Sequence, residues 1–282
     1  MCIIFLWRQE DNRELLCNYK FILAANRDEW LYRPTKPAHF WTEEPNVIGG
    51  LDQLVGYEGG TWLGMTKTGK FGCLTNIHNN NTITTAKGYA RGMLVSTYLK
   101  SKVDTNTYVN SIQDVKFKYK PFNLILGNIL GDMMYLNNVN QQAPVVLKPG
   151  YNCIGNSVMG YQNLKETKGK QNFETAIKKS TSKETLMENL LACLDDSPRH
   201  IPEASIKECN QENEYLSSVF MPETFIPEFG ICGTRTNTII LVDKYNHVTF
   251  FERTMTNPQQ RNNGWHTSIY EFEIAALHTC IF

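Results

Sequence analysis

The sequence predicts an α+β fold in which two layers of antiparallel β-sheet have helices outside them. The patterns run strands, helices, strands, helices, strands, and three neighbouring pairs of strands are joined by short turns. A parallel sheet would instead alternate single strands with crossover helices. The 282 residues are 41% hydrophobic and 20% charged, which is enough to bury a core, and we expect a single domain over residues 1–282.

The first third of the chain is predicted to be mostly β-strand, because short apolar runs are separated there by turn residues. β-branched and aromatic residues on both sides of a turn at residues 67–70 indicate a hairpin, in which Gly69 takes a positive φ. The paired glycines Gly59 and Gly60 indicate a tight bend or a close approach of two backbones. The predicted strands of this part are residues 3–7, 21–25, 62–66 and 71–77.

In the rest of the chain, apolar residues at helical spacing predict two pairs of helices, and β-type runs predict the remaining strands. A loop is expected over residues 197–230, which are rich in Pro, Glu and Asn. The predicted helices cover residues 90–102, 108–115, 164–182 and 183–196. The predicted strands cover residues 122–129, 133–138, 151–157, 238–242, 248–252 and 268–276.

Composition argues against several classes of function. Basic and acidic residues number 28 each, so the chain has no long-range field to attract nucleic acid. The 8 cysteines show no CxxC or CxxCH spacing, so neither a metal site nor a disulfide scaffold is expected. No secretory leader and no run of about 18 apolar residues is recognisable. We therefore expect a reduced, soluble, cytoplasmic protein without a transmembrane segment.

Cys2 is a candidate nucleophile because it directly follows the initiator Met1, whose removal a small second residue generally permits. The mature chain would then begin with a cysteine that carries its own base. An α-amino group with a pKa of roughly 7.7 to 8.0 can accept the thiol proton directly or through one water. A structural cysteine is the alternative interpretation.

Polar residues directly follow the predicted strand 21–25 and lie beside Cys2 if that strand pairs with strand 3–7. Arg27 would then lower the thiol pKa or orient a substrate, and Asp28 would hold the α-ammonium group. Asn26 and Glu29 would point to other faces or cap the turn. The alternative is a purely structural turn in which Arg27 and Asp28 pair with the backbone or with each other.

Three further polar residues occupy comparable places within or at the end of apolar runs, namely Asn76, Asn156 and Arg235. Side-chain amides at the ends of strands are suitable donors to an oxyanion, which is the role considered for the two asparagines. Arg235 is a candidate for orienting a substrate, or else one member of a buried ion pair.

Four separated segments, "MCIIF", "LAANRDEW", "GLDQLVGYEGGTWLGMTKTGKFGCLTN" and "GTRTNTIILVD", resemble the NRDE family, whose animal members are called transport and Golgi organisation protein 2. The resemblance extends over nearly the whole chain. It implies a four-layer αββα sandwich like that of the N-terminal nucleophile (Ntn) hydrolases, which include the cysteine acylases.

In those acylases an N-terminal Cys acts with an Arg, an Asp, two Asn residues and a later Arg. The residues that can fill these places are Cys2, Arg27, Asp28, Asn76, Asn156 and Arg235. Because the acylases separate their Arg and Asp by two residues, either Asp28 or Glu29 could be the carboxylate that holds the ammonium group.

The NRDE resemblance implies haem mobilisation, together with lipid and acyl-coenzyme A homeostasis, in cytosol, mitochondria or Golgi. The expected partner is thus a hydrophobic small molecule, either haem as a transported ligand or an acyl lipid, with peripheral contact to an organelle. No cofactor is required. The alternative function is an N-terminal-cysteine amidohydrolase acting on a hydrophobic acyl amide. A membrane-trafficking scaffold is a third option, which no coiled coil or lipid anchor in the sequence supports.

Local signals for haem are weak, since the 6 histidines form no pair at helical spacing and no Cys-Pro dipeptide is present. His39, His266 and Cys2 are the candidate iron ligands. Trp62 and the nearby Gly60 are the first candidates for ligand contact, although a tryptophan in this position is more often a core residue than a platform for a porphyrin. The lysines of residues 165–183 are predicted to form a solvated helix face rather than a site for phosphates.

Overall fold

The computed structural model describes residues 2–9, 18–77, 88–160, 163–198, 217–227, 230–258 and 264–275. The predicted loop at 197–230 therefore lies largely outside the described residues. Two antiparallel sheets of seven strands each make up the centre of the fold. Helices pack on the outer face of each sheet, which confirms the αββα sandwich.

The first sheet contains the N-terminal strand and the two longest strands of the chain. β1 (Cys2–Arg8) lies between β10 (Gly150–Ile154) and β2 (Tyr19–Trp30). The order continues from β2 through β12 (Gly230–Asp243) and β13 (His247–Met255) to β14 (Trp265–Glu273), and β11 (Thr224–Ile226) also pairs with β12. The N-terminal strand is therefore paired on both sides.

The second sheet follows the order of the chain from one edge to the other. Its strands are β3 (Thr35–Phe40), β4 (Val47–Asp52), β5 (Leu63–Thr66), β6 (Lys70–Asn76), β7 (Phe122–Asn128), β8 (Met133–Asn137) and β9 (Val145–Val146). The predicted hairpin at 62–77 is β5 and β6, and Gly69 in its turn has a φ of 86°.

Two pairs of helices cover the outer faces. α1 (Gly92–Lys100) and α2 (Thr105–Ile112) pack on the second sheet, and a short 3-10 helix (Lys116–Lys118) follows them. α3 (Leu164–Lys179) and α4 (Lys183–Leu194) pack on the first sheet. Within the described part of the chain, no helix is long and apolar enough to cross a membrane.

Side chains from the facing surfaces of both sheets form one continuous core. Phe21 of the first sheet meets Phe71 of the second edge to face, with ring centroids 5.5 Å apart. Because residues alternate along a strand, Ile4, Leu23 and Ala25 point into this core, whereas Phe5 and Ala24 point to the α3–α4 layer. The same alternation decides which face each functional residue of β1 and β2 occupies.

The structure corrects the predicted end of the second strand. β2 does not stop at Ala25 but continues through Asn26, Arg27 and Asp28 to Trp30, and those three residues are buried. Residues 26–29, the polar tetrapeptide Asn-Arg-Asp-Glu, thus form neither a turn nor a cap. Four strands, β3, β4, β9 and β11, had no counterpart in the sequence prediction, because they are short or contain Pro and Gly. Of these, β11 lies within the predicted loop at 197–230 and corrects it there.

Candidate active site

Cys2 is the first residue of a strand that is paired on both sides. Its partner in β2 is Arg27. On the other side, β1 pairs Ile4 with Ile154, so the same register continued by two residues places Asn156 opposite Cys2. The thiol side chain is 9% exposed and lies on the surface of the sheet that faces the second sheet. Burial raises the pKa of this thiol, while Arg27 and a hydrogen bond from the Asp28 backbone act to lower it.

Asn26 points to the helical side of the sheet and holds neighbouring segments together. Its Nδ2 donates to the carbonyl oxygens of Leu194, at 2.7 Å, and Val219, at 3.0 Å. Its Oδ1 accepts from Asn237 Nδ2 at 2.6 Å. The first residue of the tetrapeptide therefore anchors the end of α4 and does not face Cys2.

Arg27 points to the opposite face, towards the second sheet. Its guanidinium carbon lies 3.9 Å from the centroid of the Trp62 ring, which is a cation–π contact. Nη1 donates to Thr35 Oγ1 at 3.3 Å, and Nη2 lies 3.9 Å from Glu29 Oε2. Burial lowers the pKa of Arg27. The arginine next to Cys2 is thus held between an aromatic ring and a carboxylate.

Asp28 returns to the helical side and meets a buried lysine. Thr234 Oγ1 donates to Asp28 Oδ1, and Lys165 Nζ of α3 lies 3.9 Å from Oδ2. Burial raises the pKa of Asp28, against the opposing effects of Lys165 and Thr234. The prediction of a solvated lysine face is wrong for Lys165, which is 2% exposed, whereas Lys168, Lys178 and Lys179 are exposed as predicted.

Arg235 enters the site through a β-bulge. Thr234 pairs with Asp28 and Thr236 with Arg27, so Arg235 is the extra residue on β12, and a bulge of this kind redirects a side chain. Its guanidinium donates to three backbone carbonyls, those of Trp30, Arg33 and Met255. Burial, followed by the nearby positive charge of Arg27, lowers the pKa of Arg235 to about 10.

The two predicted oxyanion donors lie together at the junction of the sheets. Asn156 Nδ2 donates to the backbone carbonyl of Asn76 at 2.8 Å, which connects the end of β10 to the end of β6. One of the two hydrogens on Asn156 Nδ2 is thereby used. The neighbouring Gly155 carbonyl accepts from Thr75 Oγ1 and from Asn123 Nδ2, so the backbone that carries Asn156 is fixed.

Carboxylates next to the arginines complete the inner part of the site. Burial acts to raise the pKa of Glu29, but Arg27 and Arg33 outweigh it and the net shift is downward. Arg33 Nη2 lies 2.7 Å from Asp52 Oδ2. Glu252 accepts from the backbone N–H of Ala38 at 2.6 Å, and its burial raises the pKa to about 7.

A further arginine, Arg91, lies just before α1 and interacts electrostatically with Glu29 and Cys2. Burial lowers its pKa, and its Nη1 donates to the carbonyl of Pro121 at 2.8 Å. We call Arg27, Arg33, Arg91 and Arg235 the arginine cluster. Among the described residues, the acidic groups that interact with this cluster are Glu29, Asp52 and Glu252.

The space between these groups is small. A cavity of about 10 Å³ lies beside Cys2, which is about the volume that one water requires. Its lining residues are Cys2, Ile4, Ala25, Asn26, Arg27, Trp62, Leu63, Leu74 and Thr238. Gly60, the other predicted ligand contact, packs against Gly92, where an added Cβ would lie 3.3 Å from the backbone. Trp62 therefore borders the site, and Gly60 supports the loop that carries it.

Neither of the two histidines that were candidate ligands of haem iron lies among the residues around Cys2. His39 Nδ1 contacts the carbonyl of Pro37, and His266 lies on β14, four strands from β1 or roughly 19 Å at the usual spacing of strands. The described cysteines, Cys2, Cys73, Cys153, Cys193 and Cys232, are free thiols. In the part of the chain that the structure describes, no group of three or more His, Cys, Asp or Glu side chains could hold a metal ion.

The sequence prediction missed five residues of the site: Arg33, Asp52, Arg91, Lys165 and Glu252. Lys165 belongs to a lysine-rich helix, and only its position at the buried start of α3 distinguishes it from its neighbours. Glu252 was included in a predicted strand, where period-2 alternation with Val248 and Phe250 would have placed it on the inner face. No local signal marks Arg91.

The family described as Transport and Golgi organisation 2 matches residues 1–257 of this chain. The Transport and Golgi organization 2 homolog of Mus musculus is 37% identical over 97% of this chain and 99% of its own length. The Drosophila melanogaster protein Transport and Golgi organization protein 2 is 33% identical over 91% of this chain and 93% of its own.

Solved structures with a similar arrangement include two hydrolases. Penicillin V acylase from Agrobacterium tumefaciens aligns with 97% of this chain and 86% of its own, at 13% identity and a TM-score of 0.47. The C2A mutant of conjugated bile acid hydrolase from Clostridium perfringens aligns with 97% of this chain and 92% of its own, at 12% identity and a TM-score of 0.45. The sequence matches confirm the resemblance to the NRDE family: the chain belongs to the Transport and Golgi organisation 2 family.

Proposed function

We propose that the Cys2 site binds a hydrophobic molecule with an anionic group, and that the protein mobilises haem and takes part in lipid and acyl-coenzyme A homeostasis in the cytoplasm, in contact with mitochondria or Golgi. The observation that carries this proposal is the arginine cluster next to Trp62. Four guanidinium groups interact there with three carboxyl groups, those of Glu29, Asp52 and Glu252, so positive charge is in excess in a largely buried place.

The chemistry of the cluster suits both classes of ligand. A guanidinium group binds carboxylates and phosphates through two parallel hydrogen bonds, so haem propionates or coenzyme A phosphates are appropriate partners. The Trp62 ring provides an apolar surface for a porphyrin or an acyl chain. Because the cavity of about 10 Å³ holds neither, the site would have to widen for a ligand to enter.

The test compares ligand binding by the wild-type protein and two arginine variants. Haem is titrated against Soret absorbance, and palmitoyl-coenzyme A against tryptophan fluorescence. Arg91→Gln is expected to weaken binding of the preferred ligand about tenfold, since one charge-assisted contact is worth roughly 1.5–3 kcal/mol. Arg8→Gln is the matched control, because Arg8 lies at the other end of β1. If neither ligand binds saturably, or if both variants lose affinity equally, the proposal is wrong.

A second candidate function is an N-terminal-cysteine amidohydrolase, favoured by the position of Cys2 between Arg27 and Asn156. After removal of Met1, the Cys2 α-amine would take the thiol proton, and the sulfur would attack the amide carbon to give an acyl thioester. The amine proton would pass to the leaving nitrogen, and water would release a carboxylic acid. Asn156 and Asn76 would stabilise the oxyanion, and Arg27 or Arg235 would orient the acyl group.

Two measurements separate the candidate functions. Intact-mass analysis of the protein from its own cells shows whether Met1 is retained, which would exclude the amidohydrolase because the amine would lie one residue from the thiol. If Met1 is absent, a reactive acyl-amide probe should label the wild type but not Cys2→Ser. If Cys2→Ser binds the ligand normally and the probe does not label the wild type, the amidohydrolase is excluded and the ligand-binding function remains.

A further inference from the structure

A surface with both exposed aromatic rings and lysines lies outside the site. Residues 116–120 read Lys-Phe-Lys-Tyr-Lys, and the 3-10 helix in this segment turns Phe117 outward, where it is 57% exposed. Tyr89 is 59% exposed and joins the segment through a hydrogen bond from its N–H to the Lys118 carbonyl at 3.1 Å. We call Tyr89 and residues 116–120 the aromatic–lysine surface.

The backbone under this surface is held rigidly from inside. Asn138 Nδ2 donates to the carbonyls of Lys116, Tyr119 and Lys120 at 3.0, 2.9 and 3.3 Å, and Asn138 Oδ1 accepts from the N–H of Phe122 at 2.8 Å. Tyr89 and Tyr119 also pack edge to face, with ring centroids 5.6 Å apart. The exposed rings are thus presented in a fixed position, which lowers the entropy cost of contact with a partner.

From these features we propose that the aromatic–lysine surface docks on an anionic lipid bilayer. Aromatic rings favour the headgroup region, and lysines near the plane of a membrane are attracted to anionic lipids. Charge complementarity selects this occupant, because Lys118 and Lys120 are exposed on the segment, whereas Lys116 is buried, and Asp114 is the nearest acidic residue along the chain. The attraction is local, since the whole chain has a net charge of zero.

Docking here would bring the ligand site next to the bilayer. Pro121 directly follows Lys120, and its carbonyl accepts hydrogen bonds from Arg91 Nη1 at 2.8 Å and from the Ile77 N–H at 3.1 Å. Arg91 belongs to the arginine cluster, so the docking surface and the site are adjacent. A hydrophobic molecule would then pass between bilayer and site without crossing bulk water. The docking itself does not depend on which ligand the site takes.

The test is sedimentation of the full-length protein with vesicles of phosphatidylcholine, alone or with about one third phosphatidylserine. Wild type is expected to bind only the anionic vesicles, and less tightly as salt is raised. Lys118→Glu with Lys120→Glu should lower the partition coefficient by more than about tenfold. Phe117→Ala should lower it several-fold without changing its salt dependence.

The matched control is Lys168→Glu with Lys179→Glu, which makes the same charge change at exposed positions of α3. Circular dichroism of all variants verifies that they fold. If both double variants lose vesicle binding equally, the attraction depends on overall charge only, and the proposal is overturned. Absence of vesicle binding by the wild type would also overturn it, and saturable binding to an acidic protein or RNA instead would identify a different partner. Neither outcome bears on ligand binding measured in solution.

Discussion

The four residues of the tetrapeptide differ in role because they lie in a strand, where successive side chains point to opposite faces. Asn26 and Asp28 face α3 and α4, while Arg27 and Glu29 face the second sheet. The sequence correctly indicated that Cys2 and Arg27 are neighbours, because that depended only on the pairing of two apolar runs. To predict which face each side chain occupies, one would have to know that β2 continues to Trp30.

The role of Asn26 leads to a prediction about stability. Asn26→Asp keeps the shape but replaces the NH2 group, which supplies both donated hydrogens, by an oxygen that faces the carbonyls of Leu194 and Val219. We expect the free energy of unfolding to fall by about 3 kcal/mol, because buried acceptors lose their partners and a carboxyl is buried. Urea denaturation measures the loss. Asn110→Asp, at an exposed position of α2, should change stability by less than about 0.5 kcal/mol.

Glu252 gives the protein a pH dependence of known sign. Its pKa is raised from 4.5 to about 7, mainly by burial, so the folded state binds this proton more tightly than the unfolded state. The resulting stability is present below pH 4.5 and is lost as the pH rises towards 7, by about 3 kcal/mol in total.

The measurement is urea denaturation of wild type and Glu252→Gln at several pH values. Glutamine can still accept a hydrogen bond from the Ala38 N–H, so the variant should lack this pH-dependent loss. Its free energy of unfolding should therefore rise relative to that of wild type between pH 4.5 and 7. A constant difference between the two proteins across that range would contradict the assignment.

At the scale of elements, the segment directly after β10, which carries Asn156, is positioned by contact with α3. A Cβ added to Gly155 would lie 2.8 Å from Glu166 Cδ. Glu166 cannot move away easily, because it is buried and hydrogen-bonded to Ser157. Gly155→Ala should therefore lower the free energy of unfolding by about 2 kcal/mol through overpacking. It should also weaken ligand binding, because the same backbone fixes Asn156.

Two further variants identify the cause. Gly155→Ala combined with Glu166→Ala should recover more than half of the stability, since the second change removes the clashing atoms. Gly131→Ala serves as the control, because its added Cβ has no neighbour closer than 3.8 Å. If the double variant is less stable than Gly155→Ala alone, crowding is not the cause.

Elements were predictable where apolar periodicity sets them. α1, α3, α4 and the hairpin of β5 and β6 lie where the sequence places them, to within a few residues. β12 is longer than predicted, because its first half contains two Gly, two Thr and one Arg and is extended by pairing with β2 rather than by its own propensity. The bulge at Arg235 arises from the same pairing, so a local pattern could not reveal it.

At the scale of the whole molecule, the site lies at the end of the core that both sheets share. Cys2, Arg27, Asn156 and Arg235 are brought together by the strand order of the first sheet, and Asn76 and Trp62 come from the side of the second sheet. The complete site thus depends on how the sheets pack, and beyond the pairing of Cys2 with Arg27 the sequence specified it only through the NRDE resemblance. A shared core also means that neither sheet buries its inner face alone. The two sheets should therefore unfold together, as the prediction of a single domain requires.

Phe71→Ala tests this cooperativity at the contact between the sheets. Phe71 is fully buried and meets Phe21 across the core, so its removal should lower the free energy of unfolding by about 3–5 kcal/mol. Hydrogen exchange should accelerate by a similar factor in β1 and β2 of the first sheet and in β6 and β7 of the second, because all four open in one transition. The sheets would be separate folding units if the variant lost protection in the second sheet alone, or if tryptophan fluorescence and circular dichroism gave different denaturation midpoints. The site between the sheets would then open without global unfolding.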